Sequence, residues 1–215
     1  MKNIFLAILL VITSSLQAQR IRTFVGIAGY LDEDYNGSIF GSASTGLEFK
    51  IVNNFRPEIE LGVMYGTPET FTDYTERGLV QSVFERTTTA INYSICPKIY
   101  LGNPDDSNIC IVILPKYTFS KVFGTTESTT RNQNDLSKPI IEKKSANTWD
   151  DSFGIGIGIS VNFSEKYYHS ADLILHFNGV NLGSALKAIN PDNTLNTKDT
   201  LGLGFLVYFG GKRKS

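Results

Sequence analysis

An all-β chain, folded as one eight-stranded antiparallel up-and-down transmembrane β-barrel, is the fold that three features of this sequence predict. Beyond residue 20, apolar residues recur at every second position in segment after segment, the period of a strand with two unlike faces. The segments with this rhythm number eight, an even count that lets an antiparallel sheet close on itself. The connections between them alternate between short and long, as they do when successive turns emerge at opposite rims of a barrel.

The chain begins with a different pattern. Lys2, the unbroken apolar run over residues 4–12 and the small, polar stretch that ends at Ala18 have the three-part layout of a secretory signal peptide. Nine apolar residues are too few to span a bilayer as a helix, which takes about 20. Residues 1–18 are therefore read as a cleaved export signal and residues 19–215 as one barrel domain. Loss of Lys2 from the 20 basic residues leaves 19 against 21 acidic ones. A near-neutral balance excludes nucleic acid as an expected partner.

The first strand is placed at residues 22–31. In the second, Ile39, Ala43, Leu47, Phe49 and Ile51 alternate with Ser38, Ser42, Ser44, Glu48 and Lys50. The third sets Ile59, Leu61, Val63 and Tyr65 against Glu58, Glu60 and Gly62. The fourth, residues 87–101, opposes Ile91, Tyr93, Ile95, Ile99 and Leu101 to Asn92, Ser94, Cys96 and Lys98. In the fifth, residues 109–121, Ile109, Ile111, Ile113, Tyr117 and Phe119 oppose Cys110, Lys116, Thr118 and Ser120. The sixth has the clearest alternation, with Phe153, Ile155, Ile157, Ile159, Val161 and Phe163 against Ser152, Gly154, Gly156, Gly158, Ser160 and Asn162. The seventh covers residues 169–178, and the eighth sets Leu201, Leu203, Phe205, Val207 and Phe209 against Thr200, Gly202, Gly204 and Tyr208. Short turns are expected at residues 52–54, 103–107 and 164–168, where Asn, Pro, Asp and Ser supply turn chemistry. Long polar loops are expected at residues 66–86, 122–150 and 179–198, with a brief connection at 32–37.

Alternation alone does not separate a membrane barrel from a soluble, lipocalin-like one, whose apolar face points inward. The polar face does. Glycine weakens a strand and packs nothing, so a water-exposed face has no use for Gly154, Gly156, Gly158, Gly202 and Gly204. In an eight-stranded barrel the lumen is only wide enough to be filled by side chains, and small residues suit it. The apolar face then meets lipid, with Phe49, Phe55, Tyr65, Tyr117, Phe119, Phe153, Phe163 and Phe209 near strand ends as aromatic girdles. Pro57, Pro97 and Pro115 interrupt the third, fourth and fifth strands and predict local bulges.

On these residues the chain resembles the small eight-stranded outer-membrane barrels of Gram-negative bacteria, the class of the OmpA membrane domain and the PorT-like barrels. The resemblance covers residues 20–210 and is one of architecture. Many members of that class end on an aromatic residue, whereas here Phe209 is followed by six more residues. The resemblance implies the outer membrane as location, its lipids as surroundings, and envelope or extracellular proteins as partners of the long loops.

Candidate chemistry gathers on the inward face. Arg22, Glu48, Lys50, Glu58, Glu60, Lys98, Lys116, Asp172 and His176 are expected to form a polar network in the lumen, their mixed signs letting them pair away from water. A structural or surface-recognition role follows, without catalysis. The alternatives are a narrow ion channel through those charges, a helper subunit of a secretion or assembly complex, and a lipid-modifying hydrolase using His176 and Asp172, four residues apart on one strand. His169 is read as a solvated turn residue. Two histidines and two cysteines provide no metal-ligand spacing, and no cofactor motif is present. A turn centred near Asp105 places Cys96 opposite Leu114 rather than Cys110, so two free buried thiols are expected.

Overall fold

The computed structural model describes residues 21–132 and 138–212. The expected signal peptide, residues 1–18, lies outside them. Ten strands form one antiparallel sheet: β1 (Ile21–Leu31), β2 (Ile39–Phe49), β3 (Glu58–Gly66), β4 (Phe71–Tyr74), β5 (Val80–Cys96), β6 (Ile99–Leu101), β7 (Ile109–Thr130), β8 (Ile140–Asn162), β9 (Ser170–Phe177) and β10 (Leu201–Gly210). β1 pairs with both β2 and β10, and β5 pairs with both β3 and β7, so the sheet closes into a ring through eight strands. β6 continues the line of β5 at the lower rim, and β4 forms a hairpin on β5 above the upper rim. Short turns, the start of β1 and the end of β10 define the lower rim; the long connections define the upper.

The register fixes the shape of the ring. From Tyr65, one path of paired residues runs through Gly41, Gly29, Leu203 and Leu175 to Ile157 of β8. The opposite path runs through Thr89 and Phe123 to Asn147 of the same strand. The displacement from 147 to 157 is a shear of ten residues, which tilts the strands and leaves an interior that side chains can fill.

Side chains obey the predicted parity. β3 alternates strictly between buried and exposed from Glu58 to Gly66. Ile27 and Phe153 are each 66% exposed, and Val25, Leu61, Ile95, Ile111, Leu173 and Leu203 point outward around the rest of the ring. An apolar belt of this extent far exceeds the few hundred Å² that a water-soluble monomer exposes. The closed ladder answers the other demand of hydrocarbon, that every backbone donor and acceptor be paired internally. The protein is an eight-stranded antiparallel transmembrane β-barrel.

The predicted glycines work by volume. A Cβ on Gly202 would fall 2.3 Å from the Tyr30 ring, and one on Gly204 would fall 2.6 Å from His176. At Gly158 the obstruction is backbone: a Cβ would sit 2.0 Å from the Leu173 carbonyl oxygen.

Several boundaries differ from the sequence reading. Most of the expected loop over residues 122–150 is strand, because β7 runs on to Thr130 and β8 starts at Ile140. The expected loop 66–86 holds β4 and the start of β5. Above the bilayer a strand needs no apolar face, so the Thr, Ser, Lys and Glu of these extensions give no alternation to read. Phe71, Tyr74, Phe84 and Trp149, taken as loop residues, lie on strands, and Trp149 stacks on Phe119 at 4.7 Å.

The prolines require no bulges. Pro57 immediately precedes β3, where a missing donor is tolerated. The register is the same on both sides of Pro97, with Ile95 opposite Tyr117 and Ile99 opposite Ile113, which sets Pro97 opposite Pro115. Two residues without N–H groups thus share one rung, and the Lys98 N–H turns back to the Cys96 carbonyl at 2.9 Å.

The same register places Cys96 opposite Lys116, not Leu114, and both cysteines are free and buried. His169 is not a simple solvated residue. Its Nδ1 accepts the Gly210 N–H, and its ring stacks on Tyr167 at 5.1 Å beside Phe163 and Phe209, within the aromatic rim of the lower end.

Gly158→Ala is expected to destabilise the barrel by about 1–3 kcal/mol through overpacking. The temperature at which the compact gel band is lost should fall for Gly158→Ala and stay near wild type for the outward Ile157→Ala.

Candidate functional site

The interior is filled at three levels. At the lowest, inward positions of β1, β2, β3 and β9 and the junction of β5 and β6 bring charges together. Arg22 on β1 and Glu48 on β2 are register partners, and their fork-to-fork contact uses Nε to Oε1 at 2.8 Å and Nη2 to Oε2 at 2.7 Å. Glu48 and Glu58 are also register partners, two like charges face to face, which is unfavourable unless a cation intervenes. Lys98 intervenes. Its fully buried ammonium donates to Glu58 Oε1 at 2.9 Å and Glu48 Oε2 at 3.3 Å. It also lies 2.6 Å from Asp172 Oδ2, an ion pair without hydrogen-bond alignment.

Aromatic residues seal this cluster. Tyr208 donates to Glu58 Oε1 at 2.8 Å while its ring lies 3.8 Å from the Lys98 ammonium. Tyr100 donates to Glu48 Oε2 and accepts from Arg22, both at 3.1 Å, and Arg22 Nη1 donates to Ser170 at 2.9 Å. Below them Arg56 donates to Asp105 at 2.9 Å, and Lys50 pairs with the same carboxylate. Burial alone would push the Asp105 carboxyl up, but hydrogen bonds and charge from Lys50 and Arg56 hold it below the usual carboxylate value of 3.8.

At the middle level Lys116 pairs with Glu60 at 2.5 Å. These two, with Asn92 and His176, border a cavity of about 30 Å³, room for about one water molecule. Asn92 Oδ1, Ser120 Oγ and Ser152 Oγ are buried polar atoms without a hydrogen-bond partner among the described residues.

The uppermost level is apolar. The connection from β9 to β10, expected as an exposed polar loop, carries a short helix α1 (Ser184–Ile189) and folds into the mouth. Val180, Leu182, Ala185, Leu186 and Leu195 pack there against Tyr30, Tyr35, Phe40, Met64, Ala90 and Val122. Asn178 and Thr197 stitch this plug: Asn178 Nδ2 donates to the Val180 and Thr197 carbonyls at 2.9 Å, and Thr197 Oγ1 donates to Val180 at 2.6 Å. Gly183 is required where the chain turns onto itself, since a Cβ would fall 1.9 Å from the Leu195 carbonyl oxygen.

Of the nine residues expected in one lumen network, Arg22, Glu48, Glu58, Lys98 and Asp172 meet. Glu60 and Lys116 form a separate pair, and Lys50 lies at the lower rim. His176 is seated among Tyr30 and the glycines, away from Asp172, which meets Lys98. Arg56, Asp105, Tyr100 and Tyr208 complete the cluster and were missed as ionic or hydrogen-bonding partners. Arg56 shares the parity of Glu58 and Glu60, and extending the alternation across Pro57 would have found it. Among the described residues, the ion pairs of the interior and its lower rim bring five cations, Arg22, Lys50, Arg56, Lys98 and Lys116, to five carboxylates, Glu48, Glu58, Glu60, Asp105 and Asp172. Among the described residues no group of three or more His, Cys, Asp and Glu side chains is placed to hold a metal ion.

This geometry defines a class: a small membrane-spanning eight-stranded barrel with a filled, charge-balanced interior. Among solved structures the chain is similar to a major outer membrane protein from Thermus thermophilus (TM-score 0.49, 11% identity, 88% of this chain and 99% of that one). It is also similar to Ail, the attachment invasion locus protein of Yersinia pestis (0.38, 7%, 91% and 97%), and to the N-terminal β-barrel domain of Pseudomonas aeruginosa OprF (0.33, 14%, 87% and 97%). No protein-family model and no curated protein sequence matches the chain.

Lys98→Met leaves three buried carboxylates with two arginines and is expected to cost about 3–5 kcal/mol of stability. Adding Asp172→Asn should return part of that loss, read as a non-additive coupling in urea denaturation of the folded gel band. The Asp105 contribution has its own dependence on protons. Its lowered value means stability present above pH 3.8 and lost as pH falls through the folded value. The difference in unfolding temperature between wild type and Asp105→Asn should therefore narrow from about pH 5 downward.

Proposed function

We propose that the protein is an integral outer-membrane barrel that does not conduct and whose upper, extracellular part serves recognition. The observation that carries this reading is the double closure of the lumen. An ionic and aromatic cluster blocks the lower half, the helix-bearing plug blocks the mouth, and a cavity of about 30 Å³ lies between them. An ion entering from either side would have to displace packed side chains and break ion pairs in a medium of low dielectric. The short turns belong in the periplasm and the long connections outside. There β4, β5, β7 and β8 carry a sheet beyond the bilayer on a rigid base, the kind of scaffold on which binding surfaces are presented. Outer-membrane lipids would surround the belt, and extracellular or envelope molecules would meet the sheet. The hydrolase alternative needed His176 and Asp172 together, and they face different partners.

Purified barrel that migrates as a compact band before boiling should add no resolved current steps to a planar bilayer. Stable ohmic steps that disappear in Glu58→Gln would instead support the narrow channel.

A further inference from the structure

Above the membrane, the inward-parity side of β5, β7 and β8 and the chain following α1 enclose a groove of about 440 Å³, a size that suits a small ligand. Its polar lining is lopsided. Arg86 of β5 borders it with a buried Nε that has no hydrogen-bond partner among the described residues. The guanidinium lies 5.0 Å from the centre of the Phe71 ring, and its Nη2 reaches only the Glu69 carbonyl, at 3.4 Å. Asp34 and Glu69 act on Arg86 through space, but neither forms an ion pair with it among the described residues. Lys144 of β8 forms no ion pair among those residues either, whereas the adjacent Lys143 meets Glu127.

Two asparagines add to the excess of donors. Asn190 Oδ1 accepts the Asp192 N–H at 3.1 Å, and Asn193 Oδ1 accepts the Leu195 N–H at 2.9 Å. Only an amide oxygen can accept, so each residue is left with its Nδ2 donors. Against Arg86, Lys144 and these two amides stands one lining carboxylate, the exposed Asp192. Unsatisfied buried donors are costly, and a charged donor gains most from an anionic acceptor.

We propose that this groove binds an acidic sugar residue, its anionic group seated between Arg86 and Lys144 and its hydroxyls taken by Asn190 and Asn193. Phe84, also in the lining, offers an apolar surface to the sugar ring. The inference deepens the recognition reading and rests on it, since the groove must face outward to meet such a ligand. The sugar can belong to a free glycan or to a glycolipid of the same membrane, and the chemistry is shared.

The test is calorimetric titration of the detergent-solubilised, heat-modifiable protein with a hyaluronan tetrasaccharide, a sulfated chondroitin tetrasaccharide and neutral cellotetraose, together with binding to lipopolysaccharide vesicles. At least one acidic probe should bind and cellotetraose should not, with affinity falling as salt rises. Arg86→Ala and the surface change Lys144→Ala should each weaken binding by about tenfold or more, the loss of a charge-assisted hydrogen bond. Asp192→Asn should strengthen it. Binding to lipopolysaccharide vesicles alone, with the same dependence on Arg86 and Lys144, would assign the sugar to the membrane's own glycolipid. Equal binding of neutral and acidic probes, no binding of any acidic probe or vesicle, or affinity unchanged in both cation variants would overturn the proposal. Because compact migration and absence of conductance are measured on the same preparation, the recognition site can fail while the closed barrel stands.

Discussion

A sheet placed in hydrocarbon has no water to satisfy its edges, and the rest of this structure follows from that demand. The edge strands must pair with each other, so the sheet closes; closure of eight strands with a shear of ten leaves an interior only as wide as facing side chains. Each strand then has one face for lipid and one for a confined space. Large inward groups such as Tyr30, His176 and Ile174 require glycines beside them, which is why the sixth and eighth ring strands, β8 and β10, are rich in Gly at inward positions.

Confinement also governs the charges. Carboxylates and ammonium groups removed from water are tolerated only when paired with good geometry. The interior and its lower rim meet that condition by numbers, five cations to five carboxylates, and by placement, with Lys98 between register-paired Glu48 and Glu58. The proline pair contributes to this placement. Pro97 and Pro115 share one rung, the chain turns at Cys96–Lys98, and the Lys98 carbonyl becomes the acceptor for the N–H of Arg56 at 2.9 Å. The backbone irregularity and the ionic cluster therefore occupy the same place in the wall.

The upper third of the molecule obeys different physics. Beyond the bilayer both faces of a strand can be wet, so β5, β7 and β8 continue as Thr-rich and charged strands whose order comes from their neighbours. The β9–β10 connection does the reverse of an ordinary loop. Its Leu182, Leu186 and Leu195 enter the barrel mouth, converting an open cup into a closed one, and the chain that follows α1 forms one wall of the polar groove beside Arg86.

Period-two alternation was legible because lipid and lumen impose opposite demands on adjacent residues. The eight ring positions, the apolar belt and the inward parity of Arg22, Glu48, Glu58, Lys98 and Asp172 could all be read from residue order. What residue order could not supply was which inward charges meet, because that depends on the stagger of strands far apart in sequence. Asp172 on β9 reaches Lys98 beyond β5 across the lumen, while His176, four residues along the same strand, is turned to Tyr30. The upper strand extensions and the plug were hidden for the same physical reason. Their burial and pairing are set by tertiary neighbours rather than by a lipid boundary. The sequence alone determined a membrane barrel with a polar interior; the tertiary structure decided that the interior is closed and that Arg86 and Lys144 line a groove above it.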